Sequence, residues 1–282
     1  MSELSVVTIV RNRAHHLQRL IEGLLRSEAP PRELIVVDMS DDAVNVAGLP
    51  FPSRRVDFGA RRLALAEGRN VGARAADGQF LLFLDVDCIP RASLIATMER
   101  ELMERDALIC PEVRYLGPDG SGHVTDLELE EASIRHPVRS FPVSGTRVET
   151  NPGLFWSLTF GIRRRRFETL GGFDQGYDGY GAEDTDFGFR ACEAGLSLLF
   201  LGGTGSFHQH HGVISPPLQH VADIVRNANR FHVRWGIWPM DGWLKRFEEL
   251  GLVSFGGGKL RLTRAPTSAE IEAATQPPSA YF

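Results

Sequence analysis

Two carboxylates one residue apart, Asp85 and Asp87, follow directly on the unbroken apolar run Phe80-Leu81-Leu82-Phe83-Leu84. Such a run reads as a strand buried on both faces. Where it ends the backbone turns, so both acids can reach the crevice outside a sheet's carboxyl edge, where open α/β sheets bind ligands. Two hard oxygen donors there suit a divalent cation carrying phosphate. The plainer account is a strand-end turn, in which Asp is common for its own sake. A second acidic group, Glu183-Asp184-Thr185-Asp186, opens a helix after a loop rich in glycine and aromatics. Acids in a first helical turn are favoured by the dipole alone, but the glycines beside Tyr180 let this loop wrap closely around a ligand and leave one carboxylate free as a base. A third group is His208, His210 and His211. Three histidines among four residues favour metal ligation, by one of them rather than all three.

These groups need elements to position them. Leu4–Val10 is a short apolar strand, followed by Arg11-Asn12-Arg13 and a helix with Leu17, Leu20, Ile21, Leu24 and Leu25 on one face. Arg11 and Arg13 stand at a strand's carboxyl end, where a guanidinium can meet a diphosphate, stack on a base, or simply be solvated. A second buried strand, residues 33–37, closes on Asp38, whose carboxylate can accept from a base N–H or a ribose hydroxyl. Residues 61–76 read as a helix whose Gly68, Gly72 and Ala75 allow close packing. Its Asn70 can bond backbone or nucleotide equally well. With a further helix at residues 92–105, the alternation predicts an α/β fold, a mostly parallel central sheet with helices on both faces. Neither the dinucleotide nor the P-loop glycine fingerprint follows the first strand, so a bound nucleotide would be held by metal, arginines and carboxylates.

Further along, residues 107–115 read as a strand, and residues 116–152 as an excursion without periodicity that lines an acceptor site. Residues 154–162 return to strand character with Trp156 inside, either core or a platform for sugar rings. Arg163-Arg164-Arg165-Arg166 open a short helix against its dipole, which leaves a solvated face or contact with an anionic acceptor or membrane surface. Residues 212–217 read as mobile and residues 221–235 as a helix. Gly256-Gly257-Gly258 reads as a linker, and residues 251–282 as a poorly ordered or partner-seeking tail on a single domain of residues 1–250.

Composition sets the outer bounds. At 282 residues and 43% hydrophobic content the chain can bury a large core, and a net charge of -5 argues against nucleic acid as a partner. No apolar run approaches the length of a membrane span and the first ten residues lack a signal peptide's features, so the expectation is a cytoplasmic protein with no transmembrane segment. Cys88, Cys110 and Cys192 lack paired spacing and are expected as reduced thiols. Only Lys245 and Lys259 are lysines, against 29 arginines.

Taken together, Val10-Arg11-Asn12-Arg13, Asp38, Arg69-Asn70-Val71-Gly72, Asp85-Val86-Asp87, Gly171 to Asp174 leading to Gly181-Ala182-Glu183-Asp184, and Phe207-His208-Gln209 resemble a GT-A nucleotide-sugar glycosyltransferase of family two. The Glu-Asp segment is similar to the carboxyl half of animal β-galactosyltransferases and bacterial chondroitin polymerase domains. The resemblance implies that Val10, Arg11, Arg13 and Asp38 hold the base and ribose of a UDP-type donor, with Arg69 and Asn70 also at the donor site. It implies Asp85 on the ribose or metal, and Asp87 with His208 as ligands to Mn or Mg, His210 being able to replace His208. Asp184 would be the base and Glu183 would position a saccharide or other hydroxyl-bearing acceptor. Trp156 and Tyr180 would face that acceptor, Tyr180 standing where relatives often carry Trp. One displacement on the metal-bound donor would invert the anomeric centre. A nucleotidyltransferase or pyrophosphorylase would carry a glycine-rich, lysine-bearing loop after the first strand, and none is seen. A non-catalytic sugar-nucleotide or glycan-binding protein would not need Glu183, Asp184 and His208 together.

Overall fold

The computed structural model describes residues 2–59, 63–277 and 279–281. Its amino-terminal half is the expected alternation: β1 (Leu4–Val10), α1 (Ala14–Leu25), β2 (Glu33–Asp38), β3 (Ser53–Asp57), α2 (Leu65–Ala75) and β4 (Phe80–Leu84). Every residue of β1, β2 and β4 is buried, because helices cover both faces and leave no side for polar alternation. Of the helix expected at residues 61–76, Arg61 and Arg62 lie outside the described residues, and α2 begins at Leu65.

The chain continues through β5 (Cys88–Pro90), α3 (Leu94–Glu104), β6 (Ala107–Leu116), α4 (Asp126–Glu131), β7 (Ser133–Arg135), β8 (Gly145–Glu149), β9 (Thr159–Arg163), α5 (Arg164–Thr169), α6 (Glu183–Glu193) and β10 (Ser197–His208). The main sheet runs β3-β2-β1-β4-β9-β6-β10-β5. Strands β3, β2, β1 and β4 are parallel, but β9 enters antiparallel between β4 and β6, and β5 and β8 both pair antiparallel with β10. The sheet is therefore mixed: its first half has the parallel character read from the alternation, and β6 and β10 form a second parallel pair beyond β9. A register shift between Leu201 and Gly205 bends β10, so its first part pairs with β8 and its end with β5.

Alternate residues of the strands feed two cores. On one face Leu82 and Leu84 join Leu17, Leu20 and Leu24 of α1 and Leu94, Met98 and Leu102 of α3. On the other, Leu81 and Phe83 join Ala66 and Ala73 of α2, Phe167 of α5 and Phe187 of α6. Aromatic rings dominate this second core: Phe83 stacks on Phe160 at 4.6 Å between centroids, and Phe173 on Phe187 at 4.5 Å. Burying each such side chain contributes about 1.5–3 kcal/mol.

Several segments differ from expectation. Residues 116–152 hold α4, β7 and β8, whose strands are too short or too exposed to show periodicity. Trp156 precedes β9 instead of lying inside a strand. The arginine run clasps backbone. Arg163 donates to the carbonyls of Leu102 and Met103 in the last turn of α3, and Arg164 to those of Ala73, Ala76 and Gly78 at the end of α2. Guanidinium groups there satisfy orphan carbonyls and complement the negative ends of two helices, which outweighs their unfavourable place at the start of α5. Arg166 pairs with Asp106 at 2.6 Å.

Residues 251–277, expected as a tail, build a third layer with α7 (Val221–Trp235) and α8 (Asp241–Glu249). A hairpin of β11 (Val253–Gly256) and β12 (Lys259–Leu262) buries Val253 and Leu260 against Ile224, Ala228 and Phe247, followed by α9 (Ser268–Ala274). The glycine triplet is its turn: Gly257 and Gly258 have φ of 60° and 72°, the left-handed pair that a two-residue hairpin loop of type I′ demands. The segment expected to be mobile is tied to this layer, Ser215 N donating to Ala274 O at 3.0 Å and Gln276 N to Val213 O at 2.8 Å.

Candidate active site

Strands β1 and β4 lie side by side, and the loops leaving their carboxyl ends carry Arg13 and the acid pair. Asp85 to Cys88 form a tight turn, with Cys88 N donating to Asp85 O at 2.9 Å, and β5 then pairs with the end of β10 so that His208 stands opposite Cys88. Gln209 N donates to Asp87 O at 2.7 Å and its side chain to His16 O at 3.0 Å, fixing the histidine segment against both loops.

The result is a cluster on Asp87. Its Oδ1 lies 3.5 Å from His208 Nε2, and its Oδ2 lies 3.6 Å from His211 Nε2 and 2.5 Å from Arg13 Nη1. Ligand atoms of Asp87, His208 and His211 all fall within 4.8 Å of one another. Asp87 Oδ1 is buried without a hydrogen-bond partner, which costs about 1–3 kcal/mol unless a cation or water satisfies it. Burial alone would raise the Asp87 pKa, but His208, Arg13 and His211 outweigh it and hold it below the usual range. Burial lowers His208 and Asp87 opposes that, leaving a neutral imidazole able to ligate. One carboxylate and two imidazoles in this arrangement fit a divalent transition-type cation.

His210, the alternative ligand, turns away, its Nε2 3.1 Å from Ala280 O. Strand alternation would put 208 and 210 on one face, but β10 ends at His208 and the chain then turns, so it is His211 that returns to Asp87. Its membership of the histidine run was the signal available for it. Asp85 stands outside the metal cluster: its Oδ1 accepts from Arg69 Nη2 at 3.1 Å, and burial pushes its pKa up to about 6 against the pull of Arg69.

Arg69, fully enclosed, donates from its other nitrogen to Glu183 Oε1 at 3.0 Å, joining the acid turn after β4 to the acidic start of α6. Glu183 is thus buried beneath the site instead of reaching toward an acceptor. Burial and the neighbouring Asp184 charge push it up to about 7, Arg69 opposing. Asp184 is half-exposed, accepting from Ser157 N at 3.3 Å and Thr185 N at 2.7 Å.

Asn70, assigned to the donor, is engaged by backbone: its Nδ2 donates to Phe173 O and its Oδ1 accepts from Phe173 N, each at 2.8 Å. Asp38 is likewise occupied, accepting from Ser40 N, Val44 N and Arg55 Nη1 at 2.9 Å each, and these bonds lower its pKa although burial opposes them. It shapes the loop after β2, which Asn12 joins to the loop after β1 through a reciprocal pair of bonds with Asp41. The carbonyl of Val10 accepts from Met39 N at 2.8 Å, and Arg11 is half-exposed with no carboxylate partner among the described residues.

Trp156 precedes Ser157, whose N–H reaches Asp184, and lies edge-on to His136 at 4.8 Å with the Arg139 guanidinium 5.0 Å from its ring. A continuous row of rings runs from His211 through His208, Tyr115 and His136 to Trp156. Tyr180 stacks on His220 at 4.4 Å and packs on the third layer, so one face of its ring is already covered. Sequence reasoning missed His211 as a ligand, Asp186 and Arg190. The last two form a buried pair at 2.7 Å, with Asp186 also accepting from Trp235 Nε1 and Arg190 donating to the carbonyls of Leu170 and Gly172.

The model of "Glycosyl transferase family 2" matches residues 5–170, and that of the "N-terminal domain of galactosyltransferase" matches residues 136–212. Polypeptide N-acetylgalactosaminyltransferase 12 of Mus musculus is 28% identical over 161 residues, 52% of this chain and 28% of the relative. Polypeptide N-acetylgalactosaminyltransferase 10 of Rattus norvegicus is 25% identical over 239 residues, 78% of this chain and 39% of the relative. The chain thus spans well under half the length of these relatives. Among solved structures, S. aureus TarS residues 1–349 superpose with a TM-score of 0.54 at 15% identity, covering 82% of this chain and 66% of that one. GalNAc-T7 with UDP, GalNAc and Mn2+ gives 0.53 at 18%, covering 87% and 54%. With the family model matching more than half of its length, and these folds superposing on most of it, the chain belongs to glycosyl transferase family 2 and has the GT-A fold.

Proposed function

We propose that the protein transfers a sugar from a UDP-sugar to an acceptor hydroxyl with inversion, using Mn2+ or Mg2+ held by Asp87, His208 and His211. The observation that carries this reading is the Asp87 cluster with its orphaned carboxylate oxygen, linked through Arg69 to the Glu183-Asp184 pair. Support comes also from relatives named as N-acetylgalactosaminyltransferases and from a similar fold solved with UDP and Mn2+.

When bound, the cation supplies positive charge to the diphosphate leaving group. Arg11 and Arg13, at the carboxyl end of β1, add guanidinium donors for the same phosphates. Asp184 is the one acid of its pair with exposed surface, so it takes the proton from the attacking hydroxyl while Glu183 holds Arg69 and the floor of the site. Trp156 offers an apolar ring face to the acceptor. Two imidazoles favour Mn2+ over Mg2+, which prefers oxygen donors and its own waters.

Thermal unfolding with UDP, GDP or ADP, each with Mn2+ or with EDTA, tests the reading. UDP with Mn2+ is expected to raise the midpoint most, and EDTA to remove the effect. Equal stabilisation by UDP in EDTA would remove the metal assignment, and no response to any nucleotide would remove the donor assignment.

A further inference from the structure

Arg13 holds the position of a cation on Asp87. Its Nη1 donates to Oδ2 at 2.5 Å, the same oxygen that lies 3.6 Å from His211 Nε2. The pair is asymmetric: the Asp87 side chain is 10% exposed and fixed by its turn, whereas the Arg13 side chain is 36% exposed and springs from the N-cap of α1, where it makes no capping bond. Asp87, with His208, His211 and His16 all facing it, has no other strong positive partner among the described residues. A divalent cation seated among Asp87, His208 and His211 would compete for that oxygen and repel a guanidinium in contact with it. The exposed partner must then leave, and it leaves at the sheet edge where a diphosphate would lie, with a fork that matches phosphate oxygens.

We infer that Arg13 is an exchange residue: it neutralises Asp87 when the metal is absent and moves to the donor's diphosphate when the metal arrives. The inference rests on the metal and donor reading above and adds a consequence. Metal alone binds against the Arg13–Asp87 pair, metal with nucleotide does not, and the two ligands strengthen each other by a common factor.

Calorimetric titration of Mn2+ without nucleotide, and of UDP at saturating Mn2+, on the wild type, Arg13→Gln, Arg13→Lys and Arg11→Gln tests it. Arg13→Gln is expected to tighten Mn2+ alone by about fivefold or more and to weaken UDP in Mn2+ by about tenfold. Arg13→Lys, which keeps a cation near Asp87, is expected to stay within about twofold of the wild type for Mn2+. Arg11→Gln removes the same charge two residues away without touching Asp87 and is expected to change Mn2+ binding much less. If Arg13→Gln binds Mn2+ no better than the wild type, or no better than Arg11→Gln, the exchange is wrong while the metal site stands. Tighter Mn2+ with unchanged UDP affinity also overturns it, since Arg13 would then not reach the diphosphate. A wild type that binds no Mn2+ with or without UDP overturns both the inference and the metal reading.

Discussion

Arg69 Nη1 lies 3.0 Å from Glu183 Oε1 in the buried floor of the site, although the two residues are 114 positions apart in the chain. Because Asp85 shares the same guanidinium, one side chain neutralises carboxylates from both halves of the fold. Arg69→Met leaves them buried and unpaired, which costs about 3–5 kcal/mol and lowers the unfolding midpoint by roughly 6–15 °C. Arg69→Lys keeps the charge but not the fork and should recover only part of that loss, as read by calorimetry.

Glu183 makes stability depend on pH. Its folded pKa, about 7, lies above the ordinary 4.5, so ionisation costs the native state more than the unfolded chain. Its contribution is therefore fully present below about 4.5, declines as pH rises through about 7, and is level above. Glu183→Gln does not titrate, and the difference between its urea-unfolding curve and that of the wild type should change by about 1–3 kcal/mol across that window. A difference independent of pH would mean that Glu183 is ionised throughout.

Asp184→Asn keeps shape and cannot take a proton. Turnover should fall by roughly a hundredfold or more, with UDP and Mn2+ binding near wild type. Near-wild-type transfer by this variant together with loss in Glu183→Gln would move the base by one residue.

A Mn2+ binding assay should separate the three histidines. His208→Ala and His211→Ala should each weaken Mn2+ by about tenfold or more, whereas His210→Ala should be close to wild type. Loss in His210→Ala equal to that in His211→Ala would reverse the assignment.

Asn70 and Gly172 form a steric and polar unit. Gly172 has φ of 67°, and a Cβ there would lie 2.4 Å from Asn70 Oδ1, so Gly172→Ala should cost about 1–3 kcal/mol. Asn70→Ala unpairs both backbone groups of Phe173 at a similar cost. In the double variant the clash is gone, and chemical denaturation should show less than the sum of the two losses.

Much of this fold was legible locally. Strands buried on both faces must be apolar runs, so β1, β2 and β4 stand out; the acids at the end of β4 stand out because charge ends such a run, and those at the start of α6 because they cluster after a loop rich in glycine and aromatics. What was not legible depends on distance in the chain. Arg13 reaches Asp87 across 74 residues, and Asn70 reaches Phe173 across 103. Strand β8 is largely exposed along its length and carries no alternation to read. The choice of His211 over His210 turns on where β10 stops, a boundary set by its pairing with β5.

The arginine clasps on α2 and α3 have a practical side. With guanidinium groups holding the helix ends, side-chain primary amines are confined to Lys245 in α8 and Lys259 at the start of β12, both exposed on the third layer. Amine-reactive dyes or resins directed at side chains would attach there, so a labelled or immobilised protein should keep the cleft beside β4 and β10 unobstructed.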